Sequence, residues 1–438
     1  MALKRAGKSK PEKKKSLRKE PLKVIIQGPL VPQDKRKHEF HFNCPLHPRI
    51  GKTAHPYKQK ETADARVLMV LDQFNIGGTE THCLSLAREL IKKGIYVAVA
   101  GKNGRMLETF LALGCPVYEI DFVTDSYRSN EENKDEIIRQ VKKIIQNENI
   151  SVVHGHQVPS GSFAAKAASQ VKVPFVYTVH GLYYGNDLLP VLDMASVVIT
   201  VTPPVQQFVK NYYNSPILIP NGINPTEYAN RPSLKSDFRA RYGIPEDAPL
   251  VLYVGRLTWE KADICLNIVE ACQQLREQAF ASLRLMIVGA GSEAGKIEAL
   301  VEQTNAAADE PFIHLLGDSL NMCALYSSSD CVIGTGRVAV EALACKTPVI
   351  AVGTHGYFGI VQPENYESAW RLWFGDHKSK HPLSQWMLKE HLNEVLNLAP
   401  QTREEWGWVG RKYIESYYHI EAAASSTLNV YDQLLASK

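Results

Sequence analysis

The chain has 438 residues, 45% of them hydrophobic and 22% charged, with a formal net charge of +4. That is the make-up of a soluble globular protein with length for two core-bearing domains. No apolar run approaches the roughly 20 residues of a membrane-spanning helix, and Val24-Ile25-Ile26 is too short for the apolar stretch of a secretory signal.

The charge is unevenly spread. Residues 1–60 hold 17 Lys and Arg against 4 Asp and Glu, which leaves 33 against 42 in the remainder. The head is strongly basic and shows no sustained period up to about residue 64, so a solvated, disordered extension is expected there. His41, Cys44 and His47 lie close together in it, but no second ligand cluster stands nearby and no metal centre is expected. Eight cysteines are scattered without a CxxC pair, mostly in apolar stretches. Buried free thiols and a reducing, cytoplasmic setting follow.

Order is expected from Arg66. Val67–Leu71 reads as a buried strand, Asn75–Gly78 as a turn, and the stretch carrying Leu84, Leu86, Ala87 and Leu90 as a helix closed by Gly94. Further units follow: strands at Tyr96–Ala100, Val117–Ile120, Val152–His154, Phe175–Val179, Ser196–Val201 and Ile217–Ile219, with helices at Met106–Leu113, Asp135–Asn147 and Ser162–Gln170. Residues 223 to about 246 are polar and carry three prolines, which suggests the linker and the start of the second half. The pattern restarts with strands at Leu250–Val254, Leu283–Val288, Ile313–Leu316 and Cys331–Ile333, and a helix at Ile264–Leu275. Residues 364–380 fit no pattern, and the tail from Thr402 is helical. Strands alternating with helices predict two successive α/β, doubly wound, Rossmann-like domains with parallel sheets.

In such sheets ligands sit beyond the carboxyl ends of the strands. The residues there are Gly77, Gly78, His154, His180, Arg256, Lys261, Gly289, Gly336 and Glu341. In Val332–Ile350, Gly334 and Gly336 form a turn before a short helix, whose first-turn N–H groups and dipole suit a phosphate. Glu341, one turn on, could accept bonds from ribose hydroxyls. Gly255-Arg256-Leu257-Thr258-Trp259-Glu260-Lys261 places two cations on one strand-end loop, a spacing able to grip a diphosphate. Gly289-Ala290-Gly291 mimics a dinucleotide fingerprint, but the third glycine comes one residue late, and NAD is not expected.

The segments GGTETHCLSLARELIKKG, VVHGHQ, YTVHG, IPNGIN, LYVGRLTWEKAD, IVGAGSE, LLGD, YSSSDCVIGTGR and VEALACKTPVIA follow one another in this order. Together they resemble the retaining GT-B glycosyltransferases of family 4 (glycosyl transferases group 1), from about Arg66 to Lys438. The resemblance implies two Rossmann-like domains facing across a cleft. Residues 65–230 would be the acceptor side and 231–415 the nucleotide-sugar side, with 416–438 a helix returning to the first domain and 1–64 an added extension. It implies catalytic roles for His180, Arg256, Lys261 and Glu341. Gly77, Gly78, Gly255, Gly289, Gly336, Arg337 and Val338 would bind the donor.

The resemblance further implies a nucleoside-diphosphate sugar, a UDP- or other NDP-hexose, as donor. No cofactor and no metal are implied, since the two cations do that electrostatic work. A glycan or lipid-linked acceptor of the cell envelope or an exopolysaccharide would receive the sugar, and nucleic acid is not a partner. The basic extension would touch an anionic membrane at the cytoplasmic face.

Three positions depart from the family pattern. Ile333 stands where the first of two glutamates is usual, Ala262 replaces a glycine and Asn224 an aspartate. Ile333 keeps a non-catalytic nucleotide-sugar-binding protein as an alternative. A nucleoside-diphosphate-sugar epimerase is the other, but the first domain shows no clear Asp/Glu pair at strand ends to shuttle protons.

Overall fold

The computed structural model describes residues 65–122, 131–182, 187–377, 379 and 381–437. The basic extension, with His41, Cys44 and His47, lies outside the described residues.

The first lobe runs β1 (Arg66–Gln73), α1 (Gly78–Lys92), β2 (Tyr96–Lys102), α2 (Leu107–Leu111), β3 (Val117–Glu119), α3 (Glu131–Asn147), β4 (Val152–Gly155), α4 (Ser160–Gln170), β5 (Phe175–Val179), α5 (Leu188–Met194), β6 (Val197–Thr200), α6 (Pro203–Val209) and β7 (Ile217–Leu218). The second runs α7 (Pro232–Arg241), β8 (Leu250–Val254), α8 (Trp259–Gln278), β9 (Arg284–Val288), α9 (Ala294–Ala307), β10 (Ile313–Leu315), α10 (Met322–Ser328), β11 (Cys331–Gly334), α11 (Arg337–Ala344), β12 (Val349–Gly353), β13 (Gly356–Val361), a 3-10 turn at Pro363–Asn365, α12 (Tyr366–Arg371), α13 (Gln385–Leu396) and α14 (Pro400–Tyr417). A last helix, α15 (Ile420–Ala436), ends the chain.

The sheets have the orders β3-β2-β1-β4-β5-β6-β7 and β10-β9-β8-β11-β12-β13. Each lobe is a doubly wound α/β domain. The strands are buried on both faces, so they read as unbroken apolar runs rather than alternating ones. In β1, Val67, Met69 and Leu71 enter one core while Leu68 and Val70 enter the other. In β8, Leu250 and Leu252 face one core and Val251 and Tyr253 the opposite one. Each such side chain contributes about 1.5–3 kcal/mol on burial.

The expectation of wholly parallel sheets needs one correction. β13 runs antiparallel to β12, and Gly353 pairs with Gly356 across a two-residue turn. Thr354-His355 leaves no room for a crossover helix, so the chain can only fold back. The polar stretch after residue 223 opens the second half as expected, since α7 forms within it. Its Arg239, 1% exposed, bonds the carbonyls of Pro245, Ala248 and Ser328 and pairs with Asp330 at 2.8 Å.

The helical tail breaks at Tyr418-His419. α14 stays on the second lobe, against α11, whereas α15 packs on α1 of the first. Ile420, Ala424, Val430 and Tyr431 join the core beneath β1. The chain thus crosses between the lobes twice, and the crossings bond each other: Ile223 N–H donates to the Tyr418 carbonyl at 2.7 Å, and Ile420 N–H to the Ile223 carbonyl at 2.9 Å. The Tyr431 hydroxyl meets His154 Nδ1 at 2.6 Å, in the middle of the first sheet. Tyr431→Phe leaves that nitrogen buried without a partner. We expect a loss of about 1–3 kcal/mol, read as a lower urea midpoint with an unchanged slope.

Candidate active site

The site is built at the carboxyl edges of both sheets, where the lobes meet. From the first lobe comes the start of α1. Gly77 caps it in extended conformation, and a Cβ on Gly78 would lie 3.9 Å from Arg337 Cδ of the second lobe. A further bridge at the same edges joins Arg105 to Asp318 at 2.7 Å. The structure therefore brings Gly78 and Arg337 together, although 259 positions separate them by number.

Arg337 opens α11. Its Nε donates to Glu341 Oε1 at 2.6 Å and its Nη1 to the Gly222 carbonyl at 3.2 Å. The other Glu341 oxygen accepts from the Tyr326 hydroxyl at 3.0 Å. Glu341 is 5% exposed and both its oxygens are held by protein. Gly336 precedes the helix with φ +58°, and a Cβ there would meet Trp373 Nε1 at 2.7 Å. Glycine is needed both for that conformation and for the close approach. Val338 N–H turns back to the Thr335 carbonyl at 3.2 Å.

Arg256 is exposed at the end of β8, close enough to act electrostatically on Glu80 of α1. Lys261 lies in the first turn of α8, with its ammonium 3.7 Å from Asp376 Oδ1. Gly255 and Gly289 hold these loops against each other. A Cβ on Gly289, which has φ +149°, would fall 1.8 Å from the Gly255 carbonyl oxygen. Ile333 is wholly buried among Val251, Tyr253 and Ile350, so β11 presents no carboxylate at that position.

His180, at the end of β5, belongs to a knot of four histidines. His156 Nδ1 lies 3.1 Å from His180 Nε2, and Asn221 Nδ2 3.3 Å from His180 Nδ1. The amide of Asn221 donates, so Nε2 of His180 carries the proton and gives it to His156. His154 bonds Thr178 at 2.7 Å, and its ring lies tilted against that of His156, centroids 4.0 Å apart. His82 completes the group, 5.5 Å from His180. Cys83, His156 and His180 also offer ligand atoms within 4.8 Å of one another, but the two histidines already bond each other and burial pushes the thiol well above its ordinary range.

Residue-level reading of the sequence passed over several groups that the fold gathers here. Glu80 is buried and accepts from Gln157 Nε2 at 2.8 Å; burial raises its carboxyl more than that bond lowers it. Asp72, at the end of β1, is raised by burial as well and accepts from Ser160 N–H at 2.8 Å. Glu80, buried in the first turn of α1, and Asp72, half-buried at the end of β1, are thus close enough to act on each other, though only Asp72 stands at a strand end. They fasten the loop after β4, since Gln157 also accepts from Asp72 N–H at 2.9 Å. The only sequence signal was the position of Gln157, two residues beyond a strand end. A separate groove of about 860 Å³, lined by Leu218, Trp370, Lys412, Tyr413 and Tyr417, contains none of the expected site residues.

Two family models match the chain. Glycosyltransferase Family 4 covers residues 76–227 and Glycosyl transferases group 1 covers 235–412. The chain is a GT-B glycosyltransferase of group 1. An uncharacterized glycosyltransferase of Methanocaldococcus jannaschii is 27% identical over 399 residues, 81% of this chain and 94% of that relative. A D-inositol 3-phosphate glycosyltransferase of Xylanimonas cellulosilytica is 26% identical over 249 residues, 48% of this chain but only 57% of the relative. Among solved structures, a glycosyltransferase from Rickettsia africae superposes with TM-score 0.69 at 19% identity, covering 86% of this chain and all of that one. Anabaena HepE in complex with UDP and glucose gives 0.67 at 16% identity, covering 84% and 99%. These likenesses establish the GT-B fold of the glycosyltransferase.

Burial lowers His154 and His180 to about 3 and holds His82 and His156 well below their ordinary value. The folded glycosyltransferase keeps these rings neutral while the unfolded chain protonates near pH 6.5. Stability is therefore complete above about pH 6.5 and is lost as pH falls toward 3, by up to about 1.4 kcal/mol per pH unit for each ring. Urea midpoints measured from pH 7.5 to 5 are expected to fall. In His154→Asn the fall is to be shallower, and an equal slope in the variant would rule the ring out as its source.

Proposed function

We propose that this glycosyltransferase moves a hexose from a nucleoside-diphosphate sugar, with UDP as the nucleotide, to a glycan or lipid-linked acceptor of a cell envelope or exopolysaccharide, with retention at the anomeric carbon. The observation that carries the reading is the approach of Gly78 to Arg337 at the start of α11, with Arg256 acting on Glu80 of the same α1 and Lys261 beside Asp376. It has the charge a departing diphosphate requires. The fold neighbour in complex with UDP and glucose supports this choice of donor.

In this reading Arg256 and Lys261 grip the diphosphate, and α11 adds its N-terminal dipole. Gly77 and Gly78 let the backbone approach the phosphates closely. Arg337 exchanges its bond to Glu341 for a phosphate oxygen, and Glu341 then turns to the ribose. His180 reaches a sugar hydroxyl by giving up His156. Charge develops on the leaving group as the anomeric carbon becomes oxocarbenium-like, and two fixed cations meet it without a bound metal.

Incubation with radiolabelled nucleotide sugars tests transfer, and proton NMR of the product gives the anomeric configuration. Arg256→Ala and Lys261→Ala are each expected to lower kcat by about 10²–10³-fold, the scale of removing one aligned donor. Near-full rates in both variants would refute the diphosphate grip. A product of inverted configuration would refute retention alone.

No helix among the described residues is long and apolar enough to cross a membrane. We place the enzyme at the cytoplasmic face of a membrane, drawn there by residues 1–60. Seventeen cations at about 1 kcal/mol each near an anionic surface exceed what adsorption needs. The full chain should co-sediment with phosphatidylserine vesicles at low salt, and deletion of residues 1–60 should abolish it. Equal sedimentation of both forms would remove this role.

A further inference from the structure

The segment Trp373–His377, between α12 and α13, lies directly on the donor end of the second sheet. Three consecutive residues there take positive φ: Trp373 at +48°, Phe374 at +50° and Gly375 at +85°. Left-handed backbone at two aromatic residues is costly and persists only where the surroundings dictate it. Those surroundings are the turns that carry the site. Thr335 Oγ1 donates to the Phe374 carbonyl at 2.8 Å. A Cβ on Gly353 would lie 2.4 Å from the Gly375 carbonyl oxygen, and one on Gly336 2.7 Å from Trp373 Nε1. The segment is thus fastened both to the β11–α11 turn and to the end of β12.

This fastening delivers Asp376 to Lys261. The residue is 9% exposed, and its Oδ1 stands 3.7 Å from the ammonium. His377, 3% exposed, approaches the other carboxylate oxygen at 4.0 Å. The Lys261 contact is longer than a hydrogen bond, so the pair is held by charge more than by geometry. A diphosphate carries more negative charge than one carboxylate and would take the ammonium from it.

We infer that Asp376 reads the donor sugar: it rests against Lys261 and accepts hydroxyls of the hexose once the diphosphate has taken that lysine. The inference rests on the donor-binding reading above. Ile333, buried in the core behind β11, offers the sugar no carboxylate from that strand, whereas Asp376 supplies one from the neighbouring loop. Bonds from hydroxyls to a carboxylate are charge-assisted and directional, so they distinguish hexoses that differ at one carbon.

Calorimetry with UDP, UDP-glucose and UDP-galactose on the full chain tests this. In Asp376→Asn, UDP is expected to bind as tightly as in the wild type or more so, because a competitor for Lys261 has lost its charge. The preferred UDP-hexose is expected to weaken so that its affinity relative to UDP falls about tenfold or more, as when a site loses its partner for a substrate hydroxyl. Asp376→Glu keeps the charge and moves it by one methylene; it is expected to shift the glucose-to-galactose ratio with UDP unchanged. If the wild type binds all three ligands and neither variant alters these ratios, Asp376 does not touch the sugar. Should the wild type bind neither UDP nor a UDP-hexose, the choice of donor itself is wrong and this inference goes with it.

Discussion

The structure depends on a guanidinium placed where the lobes meet. Arg337, with a side chain only 10% exposed, bonds Glu341 on its own helix and the Gly222 carbonyl at the crossing between lobes. A charge so placed must be paired, and removing one partner of such a pair typically costs about 3–5 kcal/mol. The Cδ of the same side chain would lie 3.9 Å from a Cβ on Gly78 of the opposite lobe. One residue therefore ties together the start of α11, the conformation of Glu341 and the approach of the two glycine-bearing turns.

Around it the site is built by close backbone approach more than by side-chain reach. Gly289 lets one strand-end loop touch another, and Gly336 admits the Trp373 indole beside the start of α11. The polar groups are correspondingly buried and mutually bonded. The histidines are neutral, Glu80 and Asp72 secure the loop after β4, and Tyr326 holds Glu341.

Much of this was legible in the sequence for a physical reason. A strand buried on both faces must be apolar throughout, so β1, β8 and β12 stand out, and the residues just beyond them are necessarily the ones presented at the edge. What stayed hidden depends on pairings between distant segments. β13, with two glycines in GYFGIV, carries weak strand signal, and its antiparallel sense rests on a two-residue turn. Glu80 and Asp72 have no local spacing that marks them as a pair. Asp376 follows a stretch without periodicity, and only Lys261, 115 positions earlier, gives it meaning. The bond between Arg337 and Glu341 could have been anticipated, because four residues apart on a helix places them on one face.

The double crossing between the lobes has a mechanical consequence. Were a single strand to join them, the lobes could swivel about any axis. Here Ile223 and Ile420 are laced together by two backbone bonds, and a Cβ on Gly222 would strike Ile420 Cα at 2.5 Å. Such a seam resists sliding and shear but yields to bending along its length, like the spine of a book. Any opening of the two halves would therefore bend along that seam, and Gly78 would swing away from Arg337 along a single arc.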